Sequence, residues 1–393
     1  MDSACKKHFF SRHYITIDKN VADLNLSRSK IYDGDVVLSY TGEYRRALTL
    51  QEKCAFQLGP NICRLRPKGR IVSSFYLSTF LNSKIGQTIL DKEKTLSAQP
   101  TVAMSRIRLI PIPVLSIDFQ QRIETLVKSA HAKLAESKSL YAQAEDTLLS
   151  ELGLKDWQPN ISTALNDRTV AERSRSNISI KRFSDFASSG RLDAEYYQSK
   201  YDEIEAKIKN LSHKALNEVA NIQDSNFNPK AKVTYKYIEL ANIGSSGEIT
   251  GCTEDLGENL PSRARRIVHT GNVLVSSIEG SLQSCAIVSK EYDGALCSTG
   301  FYVLKAIDMN PESLLILLKS EIMQQLLKKG CSGTILTAIS NDEFKRVIIP
   351  ILPQDAQKQI AELIQTSFAL RQESKQLLES AKLAVEREIE GAD

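Results

Sequence analysis

Apolar and small residues recur at intervals of three and four through two long stretches, about 117–152 and about 355–390. In the first, Ile123, Ala130, Ser137 and Ala144 alternate with Val127, Leu134, Tyr141 and Leu148. In the second, Ile360, Ser367, Ser374 and Ala381 alternate with Ile364, Arg371, Leu378 and Val385. This spacing predicts two long helices, each with a coiled-coil seam. One seam position is Ala or Ser in nearly every heptad, so two backbones can approach closely. Arg371 aside, these residues are the expected pairing face. Each helix could instead lie on its own globular neighbour, but two matched seams of this length are hard to bury that way.

The two stretches also repeat each other. An offset of 237 residues superposes Pro113 on Pro350, Asp118 on Asp355, Gln120 on Gln357, Ile123 on Ile360, Ser137 on Ser374 and Ala144 on Ala381. A repeat this long is a domain-plus-helix unit, not a solenoid turn. Ahead of the first helix, short strand signals stand at 13–17, 35–40 and 61–65, punctuated by Gly34, Gly42 and Gly59-Pro60. Gly153 is placed to close the first helix. Apolar periodicity then vanishes across 153–182. Beyond it the pattern predicts helices near 193–210 and 311–329, and strands near 233–243, 272–278 and 301–306. The globular stretches repeat more weakly: Ile31 to Val36 is similar to Ile267 to Val273, with one residue of slack. The fold class is α+β, two globes joined by long helices.

At 393 residues two or three domains are expected. No apolar run reaches membrane-spanning length and no apolar stretch follows the first residues, so neither a membrane span nor a signal peptide is expected. Cys5, Cys54, Cys63, Cys252, Cys285, Cys297 and Cys331 are scattered with no C-x-x-C pair, which suits a reducing cytoplasm and argues against structural zinc. Charge is uneven. Residues 1–115 hold 18 lysines and arginines against nine acids, net +9; residues 183–352 hold 18 against 21, net −3. The basic first module suits a polyanion, with a solubilising charge excess as the alternative.

Sequence signatures of catalysis do not emerge. There is no phosphate-binding G-x-x-x-x-G-K-[ST], no G-x-G-x-x-G after a strand, no Asn/Asp-Pro-Pro-aromatic loop and no paired-histidine zinc motif. The expectation is a chain without catalytic residues, cofactor or metal.

Two loops occupy equivalent places in the repeat and carry groups suited to base edges. One holds Tyr40, Thr41, Glu43, Tyr44, Arg45 and Arg46; the other holds Ser276, Ser277, Glu279, Ser281, Gln283 and Ser284. Arginine suits guanine, glutamine suits adenine and glutamate suits the cytosine amine, while hydroxyls and further arginines serve phosphates. Lys230, Lys232, Arg263, Arg265 and Arg266 add positive charge. Ordinary polar hairpins and solvated faces are the alternative for all of these.

The run Arg191-Leu192-Asp193-Ala194-Glu195-Tyr196-Tyr197-Gln198-Ser199-Lys200-Tyr201 resembles a stretch of the specificity subunits of type I restriction–modification systems, where a proline usually stands at the place of Ser199. Ile349-Pro350-Ile351-Leu352-Pro353 with Gln357, repeated by Ile112-Pro113 with Gln120, resembles the proline-rich lead into that family's conserved helices. The resemblance implies two α/β target-recognition globes joined by two long antiparallel coiled-coil helices in a pseudo-twofold internal repeat. It places the first recognition domain at 1–115, a spacer helix at 116–152, a linker at 153–182, the second recognition domain at 183–352 and a second spacer helix at 353–393. It implies a non-catalytic reader of a split double-stranded DNA site that docks two adenine methyltransferase subunits, with a restriction subunit where cleavage is required. S-adenosylmethionine would sit on the methyltransferase, not here.

The second unit has roughly 80 residues ahead of Val273, the first about 35 ahead of Val36. A minimal first domain and a chain starting inside a longer unit both fit that difference. Two other functions stay open at this point: a coiled-coil adaptor or decoy without sequence-specific binding, and a divergent DNA methyltransferase or nuclease.

Overall fold

The computed structural model describes residues 29–41, 46–51, 56–68, 71–95, 99–157, 180–333 and 337–391. It mixes helix and sheet and divides into two compact units, one of Met1–Glu136 with Leu370–Asp393, the other Ser137–Ala369. The strand expected at 13–17 lies outside the described residues.

In the first unit, β1 (Lys30–Ile31), β2 (Val36–Ser39), β3 (Ala47–Thr49), β4 (Phe56–Gln57) and β5 (Ile62–Leu65) precede the helices. β2 is the centre of an antiparallel sheet ordered β3-β2-β5, and all four of its residues are buried. The turn into it needs Gly34, whose φ is +80°. Asp35 fixes that turn: its carboxylate accepts the Tyr32 N–H at 2.9 Å and a two-pronged bond from Arg66 at 2.5 and 2.6 Å. Burial alone would raise this carboxyl, but Arg66 and the Tyr32 amide outweigh it and hold Asp35 below the usual carboxylate range. α1 (Ser74–Asn82) and α2 (Lys84–Lys92) meet at Ser83, which caps both. Its Oγ donates to the Phe80 carbonyl at 2.6 Å and accepts the Gly86 N–H at 3.2 Å. Position 86 must be glycine, because a Cβ there would lie 2.1 Å from the Phe80 oxygen. α3 (Met104–Ile107) leads to the first long helix, α4 (Ile117–Glu151). Gly153 follows α4 with φ +59°, a left-handed residue at the helix end.

The second unit runs α5 (Phe183–Ser189), α6 (Ser199–Lys209), β6 (His213–Ala215), α7 (Leu216–Val219), β7 (Ala220–Ile222), β8 (Thr234–Ile238), β9 (Thr253–Leu256), β10 (Ala264–Ile267), β11 (Val273–Ser276), β12 (Cys285–Ile287), β13 (Leu296–Ser298) and β14 (Phe301–Ala306). It continues with α8 (Pro311–Lys319), α9 (Glu321–Lys329), β15 (Cys331–Ser332), β16 (Ala338–Ile339), α10 (Asn341–Arg346), β17 (Ile348–Pro350) and the second long helix, α11 (Gln354–Glu390). One four-stranded sheet is ordered β12-β11-β14-β7, and a second, β10-β13-β8-β9, contains the parallel pair β13·β8; β15 pairs with β16 and β17 with β6. Two expectations need correcting. The single helix at 311–329 is two helices broken at Ser320, which caps both ends. The helix near 193–210 starts only at Ser199, because Asp193 to Tyr197 are used in turns.

Both units are built on one bonding plan, and the 237-residue offset reaches back through it. Val36–Ser39 corresponds to Val273–Ser276. Asp35 bonding the Tyr32 amide corresponds to Asn272 bonding the His269 amide at 2.8 Å. Ser83 corresponds to Ser320, whose Oγ donates to the Leu317 carbonyl at 2.6 Å.

Each unit also contains part of both long helices, running antiparallel. In the first, Ile123 and Val127 share a core with Ala381 and Val385, and Lys133 pairs with Glu373 at 2.5 Å. In the second, Tyr141, Ala144 and Leu148 share a core with Ile360 and Ile364, and the Ser137 and Ser367 hydroxyls lie 3.0 Å apart. Ala130 and Ser374 are buried too, while Leu134 and Leu378 are half-buried. Among the described residues no helix is long and apolar enough to cross a membrane.

Candidate nucleic-acid interface

In the second unit the loop after β11 is stitched from beneath. Ser276 is fully buried; its Oγ lies 2.8 Å from the Ser281 Oγ and accepts the Ile278 N–H at 3.1 Å. The expectation that Ser276 contacts DNA is corrected: it presents no surface and shapes the loop instead. Ser277 uses both its N–H and its Oγ on the Gly300 carbonyl, at 2.9 and 3.0 Å. Its own carbonyl accepts the Ile339 N–H at 2.9 Å, and the Glu279 N–H reaches the Thr337 carbonyl at 3.0 Å. On the return limb, Lys319 Nζ donates to the Gln283 carbonyl at 2.9 Å and Gln324 Nε2 to the Leu282 carbonyl at 3.1 Å. The backbone is therefore fixed on both sides. Gln283 is left exposed, with Glu279, Ser281 and Ser284 half-exposed. The Glu279 carboxylate stands 3.5 Å from Lys328 Nζ.

The basic residues divide by role. Arg263 is exposed, and its carbonyl accepts the Thr299 N–H at 2.9 Å. Because Ser277 bonds Gly300, the tight turn at Thr299–Gly300 joins Arg263 to the loop after β11. Arg265 is half-buried and bonds Asn228 Oδ1 at 2.7 Å and the Ser262 carbonyl at 3.0 Å. Lys230 and Lys232 are exposed on the loop ahead of β8, where the Lys230 N–H donates to the Tyr235 hydroxyl at 3.2 Å. Arg266 turns inward, donating to the Phe301 carbonyl at 2.6 Å with its guanidinium 5.9 Å from the Tyr302 ring centre. Arg266 is half-buried like Arg265, with this one bond tying part of its guanidinium to the protein.

In the first unit, Glu43, Tyr44 and Arg45 lie outside the described residues. Tyr40 and Thr41 are anchored on Asn61, a left-handed residue with φ +75°. The Tyr40 N–H donates to the Asn61 carbonyl at 3.1 Å and Thr41 Oγ1 to Asn61 Oδ1 at 3.2 Å. Arg46 closes the loop through reciprocal bonds with Ser39, both 3.0 Å, and its side chain is exposed. It borders a cleft of about 620 Å³ that His131, Arg371, Lys375 and Lys382 also line. Cations therefore outnumber the acid Glu379 there.

Of the anchoring residues, Lys319 and Gln324 give no local signal in the sequence, and they hold a loop some 40 positions away. Gln120 and Gln357 each accept a helix-capping amide, from Ser73 at 2.7 Å and Asn310 at 3.0 Å. Arg191 grips Asp193 at 2.8 and 2.6 Å and the Cys331 carbonyl at 2.9 Å, so the motif beginning at Arg191 ties down the start of β15. Among the described residues no group of three His, Cys, Asp or Glu side chains converges as a metal site.

Residues 208–380 match a family model described as Type I restriction modification DNA specificity domain. The chain is similar to specificity subunits of these systems. A chain from a structure of complex assembly and conformational transition in a type I R-M system is 28% identical over 39% of this chain and 40% of its own length, with a TM-score of 0.35. The HsdS subunit from Thermoanaerobacter tengcongensis is 30% identical over 38% of this chain and 40% of its own, with a TM-score of 0.35. The type I S subunit from M. genitalium is 12% identical over 90% of this chain and 82% of its own, with a TM-score of 0.44. Each of the first two matches thus spans about two fifths of the solved chain. No curated protein matches the chain.

Proposed function

We propose that this chain, a relative of type I restriction–modification specificity subunits, is the DNA-reading subunit of such a system. The match of residues 208–380 to the DNA specificity domain carries the reading. The bonding plan shared by the two units supports it, because two copies of one scaffold suit two half-sites of one split target. Residues 1–115 and 183–352 are the two recognition domains. The spacer helices 116–152 and 353–393 pair as an antiparallel coiled coil and set the gap between half-sites, with 153–182 as linker. The loops around Arg46 and Gln283 read base edges, and Arg263, Lys230 and Lys232 hold phosphates.

In this reading the chain does no chemistry. It positions two adenine methyltransferase subunits, which bind S-adenosylmethionine and transfer the methyl group, and a restriction subunit joins where cleavage is required. The complex works in the cytoplasm on duplex DNA, marking host DNA and exposing unmarked phage DNA. The test is to purify the full chain with the methyltransferase of its own operon and select bound duplexes from a random library. Enrichment of one bipartite sequence with a fixed gap supports the reading. Retention of DNA without sequence preference supports an adaptor or decoy.

A further inference from the structure

We infer that Lys319 is a positioning residue for base readout, holding the return limb of the 277–284 loop through the Gln283 carbonyl. The inference rests on the reading that this loop faces DNA. Lys319 is the last residue of α8, and its side chain is buried, an unusual place for a lysine. Taking an ammonium out of water is costly, and a similarly sized apolar residue would avoid that cost. The ammonium makes one hydrogen bond, 2.9 Å to the Gln283 oxygen, and also faces the Glu145 carboxylate, which favours its charge but does not by itself fix its direction. One position earlier, the Leu282 carbonyl is held by Gln324 from α9. Two consecutive carbonyls, those of Leu282 and Gln283, are thus fixed by the helix pair, while the Gln283 side chain is exposed.

The first unit solves the same problem with different chemistry. Asn82, the last residue of α1, stands 237 positions before Lys319 and also precedes the shared serine cap. Its Oδ1 accepts the Ala47 N–H at 2.9 Å and its Nδ2 donates to the Ala47 carbonyl at 2.7 Å. Ala47 follows Arg46 directly, so Asn82 also grips a return limb. A polar residue at this corner in both units, reaching the same part of the loop, separates positioning from the incidental burial of one lysine.

A reading side chain discriminates only if its backbone is held in place, since a bidentate base contact requires both partners to be oriented. The experiment uses the full chain with its methyltransferase partner and measures binding to the selected duplex and to its single-base variants. Lys319→Met removes the ammonium and keeps much of the stem. It is predicted to lose about tenfold in discrimination at the half-site read by the second unit, within the range of one base contact. Non-specific affinity and the other half-site should stay unchanged. Lys319→Arg, which restores a donor, should recover discrimination, and Gln324→Leu should relax the same half-site by a smaller factor. Gln283→Ala reports on the loop itself. If Gln283→Ala relaxes discrimination while Lys319→Met and Gln324→Leu leave it intact, the inference fails and the reading of the loop survives. If all three bind as wild type, the reading of the loop fails as well. A Lys319→Met chain that no longer folds would make Lys319 a structural residue and overturn the inference.

Discussion

Ser137 and Ser367 meet face to face between the long helices of the second unit, and their bonding is directional. Ser367 Oγ donates to the Ser137 carbonyl at 2.8 Å, which uses its only proton. The 3.0 Å contact between the hydroxyls therefore has Ser137 as donor. Small residues bring the backbones this close, and the hydroxyls then satisfy each other.

The two alanine variants should differ accordingly. Ser137→Ala removes one bond, at a cost of about 1 kcal/mol. Ser367→Ala removes both and leaves the Ser137 hydroxyl buried without its acceptor, at a cost of about 2 kcal/mol. Leucine at either position overpacks the seam by roughly 1–3 kcal/mol. Urea unfolding of each variant measures the order. A Ser137→Ala cost equal to or above that of Ser367→Ala would remove the assigned direction.

Gln120 and Gln357 should be independent ties of equal kind. Each is buried, accepts one capping amide and donates to the carbonyl five residues before it, Leu115 at 2.9 Å and Leu352 at 3.0 Å. Replacing either by Ala leaves a half-buried capping amide without its acceptor, at a cost of about 1 kcal/mol. The pair share no partner, so the double variant should lose the sum. A marked departure from additivity in denaturant titrations would show that the ties are coupled.

Much of the helical framework was legible in the sequence, because proline, glutamine and small seam residues recur as identities at one offset. The earlier parts of the repeat were harder to read because they are conserved as chemistry. Ser73 and Asn310 are different residues that both cap a helix by accepting the N3 amide, and Asp35 and Asn272 both accept a turn amide. A heptad shows which face pairs but not the antiparallel register, so only the structure sets Ser137 against Ser367. The candidate site was legible as loops but not as side chains. Whether Arg266 points outward or onto the Phe301 carbonyl depends on a partner 35 residues away. The break at Ser320 was hidden because serine at a helix corner looks like serine on a helix face.

The buried thiols make a pH prediction. Burial pushes Cys63 and Cys285 up to about 11 and Cys297 and Cys331 up to about 12, from an ordinary value near 9. Stability from burying the neutral thiol is complete below the unfolded value and is lost as pH rises through the folded values. Unfolding free energy should therefore fall between about pH 9 and 12. In a Cys5→Ser, Cys54→Ser, Cys252→Ser background at pH 8, these four should resist a thiol reagent until denaturant is added. Rapid native labelling of Cys285 or Cys297 would contradict their burial.

Variants of the loop residues should separate base contacts from phosphate contacts. Gln283→Ala should relax one base position by about 1–3 kcal/mol with little change in salt dependence. Arg46→Ala, at the edge of the basic cleft, should lower the salt slope by about one unit if it holds a phosphate. Binding isotherms at several salt concentrations distinguish these outcomes. Unchanged slope and unchanged discrimination in Arg46→Ala would take the first loop out of the interface.

The central claim is that each unit reads its own half of one target. It is tested most directly by replacing residues 183–348 with the matching segment of a relative of different specificity and sequencing methylated adenines in a host expressing the chimaera with its methyltransferase. The account predicts that one half-site changes to that of the relative while the other half-site and the gap are kept. A chimaera that folds and methylates but changes both half-sites, or neither, would contradict it.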